Sequence, residues 1–297
     1  ASTADLAIVM IDARKGVLTQ TRRHSYIVQL LGVRHIVLAI NKMDLVDYSQ
    51  ERFNAIVADY KAFAEQIGLR DEQITAIPLS ALKGDMILEK SPHLAWHDGP
   101  PLLTHLENVV LDETADQNPF RMPVQWVNRP DSDFRGFSGL IASGTIKPGD
   151  RVYALPSGHT STVKQIILPN TATPDATLDE ATAHRSVTLT LNDEIDISRG
   201  DMLCGPDNQA ETADQFRATI LWMDQDEMLP GRTYLMKIGA QTVQASIAAP
   251  KHVIDVNTLQ KLAAPTLALN AIGECNLALN KIIAFDPYNV NKSTGGF

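Results

Sequence analysis

Cysteine is scarce: only Cys204 and Cys275 occur in 297 residues, in different regions of the chain. Two separated thiols argue against a disulfide framework or a cysteine zinc site, and predict buried, reduced side chains in a cytoplasmic protein. Long hydrophobic runs are lacking as well. No apolar stretch approaches the ~20 residues that a membrane-spanning helix needs, and no signal-peptide pattern precedes the first apolar segment. Positive charge is in deficit, with 26 Lys and Arg against 35 Asp and Glu, a net charge of −9 and a pI near 5.3. That balance argues against a broad phosphate-binding face, so nucleic acid and membrane are not expected partners. What remains, 44% hydrophobic and 21% charged residues, is the composition of a soluble globular chain long enough for two or three domains.

The residues that are present point to a base pocket. Asn41-Lys42-Met43-Asp44 follows directly on the apolar run Arg34-His35-Ile36-Val37-Leu38-Ala39-Ile40, which reads as a buried strand. An aspartate at the end of such a strand can accept two hydrogen bonds at once, from the ring N–H and the exocyclic amine of guanine. Adenine offers neither donor there. A buried site built this way leaves its own polar groups unpaired when the wrong base enters, so discrimination is on the order of 10⁴-fold. Asn41 is expected to hold the loop and reach the base's other edge, and the methylene stem of Lys42 to lie along the ring. A second short strand, residues 73–79, ends in Ser80-Ala81-Leu82, where the Ala81 backbone N–H is expected to donate to the guanine O6. Both loops form one predicted pocket, with Asn41, Lys42, Met43, Asp44, Ser80, Ala81 and Leu82 as its residues.

Half of a nucleotide site has no counterpart in the sequence. None of the 17 glycines lies in G-x-x-x-x-G-K-[ST], the loop whose backbone N–H groups cradle phosphates. The chain opens on Ala1-Ser2-Thr3 and runs at once into an apolar strand, residues 5–11. Ligands for the phosphates and for Mg2+ are therefore expected in a stretch N-terminal to it. The end, Ser293-Thr294-Gly295-Gly296-Phe297, also reads as cut.

Hydrophobic periodicity changes once along the chain. Helical patterns cover residues 19–31, closed by Gly32, and Phe53, Ile56, Val57, Tyr60, Phe63, Ala64 and Ile67, closed by Gly68. Pro101 suits the first turn of a third helix, residues 102–111. Alternating with short apolar runs, these predict an α/β nucleotide-binding domain over 1–116, a parallel sheet with helices on both faces. Ligands in such sheets bind at the carboxyl ends of the strands. From Gln117 onward helices stop. Runs at 123–129, 137–143, 151–155, 162–168 and 186–191, with turns such as Lys147-Pro148-Gly149-Asp150, predict a small antiparallel β-barrel over 117–208. The polar stretch 206–214 reads as a linker. Runs at 216–223, 233–238, 241–249 and 274–285 predict a second, truncated β-barrel over 209–297.

Several other residues invite chemistry. His93 and His97 have a metal-like helical spacing, but Pro92 before them and Asp98-Gly99-Pro100-Pro101 after them predict a loop, and no third ligand accompanies them. Zinc is not expected there. Asp12 ends a strand on the ligand side of the sheet and is expected to fix a loop or cap a helix rather than hold metal. Asp193-Glu194-Ile195-Asp196 looks like paired carboxylates, yet alternation with Ile195 and Ile197 predicts a barrel strand's edge. Phe134-Arg135-Gly136-Phe137 reads equally as a partner surface or as barrel-closing core.

Longer phrases carry a family resemblance that covers nearly the whole chain. Asp12-Ala13-Arg14-Lys15-Gly16-Val17, the two pocket loops and Ala142-Ser143-Gly144-Thr145-Ile146-Lys147-Pro148-Gly149-Asp150 resemble the translation-factor class of GTPases, which includes elongation factor Tu. Within that class, Asn128-Arg129-Pro130-Asp131-Ser132-Asp133-Phe134-Arg135-Gly136-Phe137, Asn192-Asp193-Glu194-Ile195-Asp196-Ile197-Ser198-Arg199-Gly200-Asp201 and Ala284-Phe285-Asp286-Pro287-Tyr288 resemble the GTPase subunit of bacterial sulfate adenylyltransferase. The phosphate loop and switch regions of that family are not present. The resemblance implies GTP as cofactor, with Mg2+, and GTP hydrolysis driving an unfavourable reaction on a small catalytic subunit, in which ATP and sulfate give adenosine 5′-phosphosulfate and pyrophosphate. This chain would then be half of a cytoplasmic heteromer and carry none of the sulfate chemistry. Two alternatives stand beside it: a translation elongation factor binding aminoacyl-tRNA, and a docking module that no longer uses nucleotide.

Overall fold

The structure, a computed structural model, describes residues 4–111, 115–132, 134–168 and 176–297. It divides into two compact units, Ala1–Asp112 with Ile254–Lys261, and Glu113–Val253 with Leu262–Phe297.

The first unit alternates strand and helix: β1 (Leu6–Asp12), α1 (Thr19–Leu30), β2 (His35–Asn41), α2 (Gln50–Gln66), β3 (Ile74–Pro78) and α3 (Leu102–Asn108). The strands form a parallel sheet in the order β1-β2-β3, with Ile36 opposite both Ala7 and Ile74. β2 is central, and its continuous apolar run is the signature of a strand covered on both faces. In α2, Phe53, Ile56, Tyr60, Phe63 and Ala64 recur at helical spacing and are all buried. Its start is fixed by the Ser49 hydroxyl, which accepts from the Arg52 N–H at 3.2 Å. Tyr60 keeps its polar tip satisfied by a buried hydroxyl–hydroxyl bond to Ser25 of α1, 3.0 Å long. Because the strands are parallel and in register, Asp12, Asn41 and Pro78 end at one edge of the sheet.

The second unit is built from antiparallel sheets. One runs through Arg121–Pro123, Met202–Cys204, Arg151–Leu155, His159–Ile167, Ser186–Leu191, Gly136–Leu140 and Trp126–Asn128 in that spatial order. It curls back on itself, its first strand meeting the residues that follow Gly136–Leu140: the Arg121 N–H donates to Ser143 O at 2.9 Å and the Ala142 N–H to Arg121 O at 2.8 Å. Closure removes an exposed edge and encloses a core of Met122, Phe137, Ile141, Val152, Ile166 and Leu189. The other sheet is organised by Ile272–Phe285, which pairs with Glu211–Leu221 and with Gln241–Ile247, the latter pairing in turn with Thr233–Ile238. This is the expected fold class, a parallel α/β domain followed by small antiparallel β modules.

Two expectations require correction. The polar stretch 206–214 is not wholly a linker, because the strand Glu211–Leu221 begins inside it. Only Ile220 of that strand is buried, so its alternating signature is diluted. Asp193-Glu194-Ile195-Asp196 lies past the end of its strand in irregular backbone, where Asp193 accepts from the Ser161 hydroxyl at 2.8 Å and Ile197 turns into the core. Of the two readings of Phe134-Arg135-Gly136-Phe137, the core reading holds for Phe137, which is buried beneath the Arg135 guanidinium 5.4 Å away.

Candidate functional site

The loop after β2 leaves the sheet through a left-handed residue, Lys42 (φ 67), and tightens into a 3₁₀ turn, Met43–Val46. Met43 is fully buried and donates its N–H to Leu79 O at 3.2 Å, so it anchors the loop to the end of β3 instead of facing a ligand. Asn41 holds the loop through its side-chain oxygen, which accepts from its neighbour's Lys42 N–H at 2.7 Å and from the Ala81 N–H at 3.0 Å. Its side-chain nitrogen faces Met10 Sδ at 3.6 Å. Asp44 accepts from the buried Ser80 hydroxyl at 2.7 Å. The two loops singled out in the sequence thus meet through two side-chain bonds, one from each end of Asn41-Lys42-Met43-Asp44. The Ala81 N–H, expected to point at a guanine O6, donates to Asn41 here, and an incoming O6 has to displace or share that bond. Leu82 stands out from the loop, 86% exposed.

Beside this pair of loops lies a charged cluster at the end of β1. Asp12 accepts from the Arg14 backbone N–H (3.0 Å), from Arg14 Nε (3.0 Å) and Nη2 (2.7 Å), and from Lys42 Nζ (2.9 Å). The Arg14 guanidinium, and after it Lys42, outweigh burial and hold this carboxyl well below the usual carboxylate range. Asp12 fixes its loop, as the sequence suggested. Arg52 of α2 completes the clamp, donating from Nε to Ala13 O at 2.8 Å and from Nη2 to Arg14 O at 3.2 Å. The ion pair also fixes the far end of Lys42, whose stem was expected to flank the base.

Three residues of the site had no signature in the sequence. Tyr48, Asp85 and Ser91 form a short network: the Tyr48 hydroxyl donates to Asp85 Oδ2 at 2.8 Å and the Ser91 hydroxyl to Asp85 Oδ1 at 2.7 Å. Burial first, and the Asp85 carboxylate next, push the Tyr48 hydroxyl up to about 12. His93 stacks on the Tyr48 ring and His97 packs edge-on to Phe53, so both histidines serve aromatic packing. Among the described residues no group of three or more His, Cys, Asp or Glu side chains is placed to hold a metal ion.

Two family models match separate parts of the chain. Residues 1–117 match the elongation factor Tu GTP binding domain, and residues 215–297 match the GTP-eEF1A C-terminal domain-like family. In fold the chain is similar to Sup35 complexed with GDP, at a TM-score of 0.56 and 24% identity over 98% of this chain and 74% of that one. Both matched regions, residues 1–117 and 215–297, are thus of the translation-factor type. Over its whole length the chain is 51% identical to sulfate adenylyltransferase subunit 1 of Vibrio campbellii, of which it covers 61%. It is likewise 50% identical to the bifunctional enzyme CysN/CysC of Xylella fastidiosa, of which it covers 46%. The chain spans about half to three-fifths of the length of these curated relatives.

Proposed function

We propose that this chain carries the guanine-reading part of a GTP site in the GTPase subunit of a sulfate adenylyltransferase. The observation that carries the reading is the pairing of Asn41-Lys42-Met43-Asp44 with Ser80-Ala81-Leu82 at the carboxyl edge of a parallel sheet. Asp44 reads the ring N–H and the exocyclic amine, Ala81 reads O6, Asn41 sets the spacing of the loops, and the Lys42 stem covers one face of the ring. Ser80 orients Asp44, Met43 anchors from below, and Leu82 borders the entrance.

The phosphates need donors outside these residues, since no G-x-x-x-x-G-K-[ST] occurs in the sequence. Magnesium finds no ligand set among the described residues either. The most suitably placed acid, Asp12, is committed to Arg14 and Lys42. No step is therefore assigned to the metal.

The role is the one implied by the likeness to sulfate adenylyltransferase subunit 1: GTP hydrolysis on this subunit drives transfer of the adenylyl group of ATP to sulfate on a small catalytic partner. A coupling switch of this kind needs two states that both sites bias. The net charge of −9 suits a protein partner better than RNA. Two buried free thiols, Cys204 and Cys275, fit a reducing cytoplasm.

The test is GTP hydrolysis by the full-length gene product with its co-purifying subunit. Hydrolysis that rises only when ATP and sulfate are both present is the expected result. Recovery with aminoacyl-tRNA or ribosomes, without sulfate-dependent hydrolysis, transfers the chain to the elongation-factor reading.

A further inference from the structure

Two hydroxyl–carboxylate bonds cross between the pocket loops in opposite senses. Ser80, on the second loop, donates to Asp44 on the first at 2.7 Å. Tyr48, four residues after Asp44, donates to Asp85, which follows the second loop, at 2.8 Å. Both ends of the second bond are braced. Asp85 accepts from Ser91 on its other oxygen at 2.7 Å. Tyr48 stacks on His93, with ring centroids 4.8 Å apart and planes 13° from parallel, and its carbonyl accepts from Trp96 Nε1 at 3.0 Å. Each end is also bonded to its own loop through the backbone, the Tyr48 N–H to Met43 O at 2.9 Å and the Ser80 N–H to Asp85 O at 3.2 Å. The Tyr48 backbone takes a left-handed conformation, φ 52, which a bulky residue adopts only when its surroundings impose it.

We propose that Tyr48 and Asp85 are positioning residues for guanine selectivity, a strut that sets how far Asp44 stands from Ser80 and Ala81. The inference rests on the base-pocket reading above. A binding constellation must be held to within about 0.5 Å by bonds behind it, and the two loops carry no other side-chain link besides Ser80–Asp44 and Asn41–Ala81 among the described residues. The exocyclic amine is the contact most sensitive to a small shift of the Asp44 carboxylate. Guanine offers Asp44 two donors and hypoxanthine, which lacks that amine, offers one.

Tyr48→Phe keeps the ring on His93 and deletes the bond to Asp85. In the full-length gene product its GDP affinity is expected to fall about tenfold, while IDP affinity falls less, so the GDP-to-IDP preference drops several-fold. Asp85→Asn retains a carbonyl oxygen that can accept from Tyr48, and is expected to fall between the parent and Tyr48→Phe. A purely architectural role would lower stability and leave the GDP-to-IDP ratio where it was, which overturns the proposal. If Tyr48→Phe does not accumulate as folded protein, the ratio for Asp85→Asn decides in the same way. Asp44→Asn is measured alongside. A normal shift of base preference in that variant, with unchanged ratios at Tyr48 and Asp85, sinks the strut alone; no shift in Asp44→Asn removes the base pocket and the strut together.

Discussion

In the proposed pocket one carboxylate oxygen of Asp44 is already engaged by the Ser80 hydroxyl, so base recognition there would depend on the lone pairs that remain. Replacement by asparagine presents one donor and one acceptor in place of two acceptors, which mismatches guanine and suits the 2-oxo group of xanthine. Asp44→Asn is expected to cost about 2 to 5 kcal/mol in GTP binding and to move preference toward XTP, as competition binding of the two nucleotides would read. GTP affinity within twofold of the parent would place the pocket elsewhere. Asp12 permits a prediction in pH. Its folded-state carboxyl is depressed, by Arg14 first and Lys42 next, so its contribution to stability is fully present above the unfolded value of about 4 and is lost as pH falls below that. Asp12→Asn should therefore destabilise the protein at neutral pH, and the difference from the parent should shrink steadily in urea melts taken from about pH 5 downward. A difference that grows on acidification contradicts the assignment. The two loops that meet at Asn41 and Asp44 were legible in sequence because each is a short phrase at a strand end. Tyr48, Asp85 and Arg52 were not, because their bonds reach across 37 to 39 residues and leave no periodic trace.

Elements whose burial is one-sided or complete announced themselves. β2 read as a strand from its unbroken apolar run, and α2 from five buried positions at helical spacing. Exposure obscured the opening of Glu211–Leu221, and the loop around Asp193 imitated a strand because Ile195 and Ile197 happen to alternate with acids. One turn can be tested directly. Gly144, just past the closure of the barrel, sits at φ +76, and a β-carbon there would lie 2.5 Å from both the Cα and the N of Phe120. Those atoms belong to backbone and cannot swing aside, unlike the tip of a flexible side chain. Gly144→Ala thus combines left-handed strain with overpacking, and an expected loss of about 2 to 5 kcal/mol should appear as a lower urea midpoint with an unchanged slope. A shift worth less than about 0.5 kcal/mol would mean that the turn rearranges freely.

At the scale of the whole molecule, the two β modules form one compact unit, and a buried ion pair joins them. Arg121, in the first strand of the closed sheet, donates from Nε and Nη2 to both oxygens of Asp286, at 2.9 to 3.1 Å, just past the end of Ile272–Phe285. Its remaining donors reach the backbone and side-chain oxygens of Asn208, at 2.7 and 3.2 Å, and the Thr294 hydroxyl donates to Asp286 at 2.6 Å. Arg121 and Asp286 are 2% and 4% exposed and stand 165 residues apart, so no local pattern could have paired them. A charge taken so far out of water is tolerable only with its partner in place. Asp286→Ala leaves the guanidinium buried and uncompensated, and is expected to cost about 3 to 5 kcal/mol. Replacing both residues with apolar ones of similar volume, Arg121→Met with Asp286→Leu, removes the stranded charge and should cost far less than the single change, which distinguishes loss of the pair from loss of packing. Denaturant unfolding of the double variant and of Arg121→Met, Asp286→Leu and Asp286→Ala singly supplies the comparison. If the double variant is as unstable as the sum of its single changes, the two charges act independently and the β modules are held together by their apolar contacts instead.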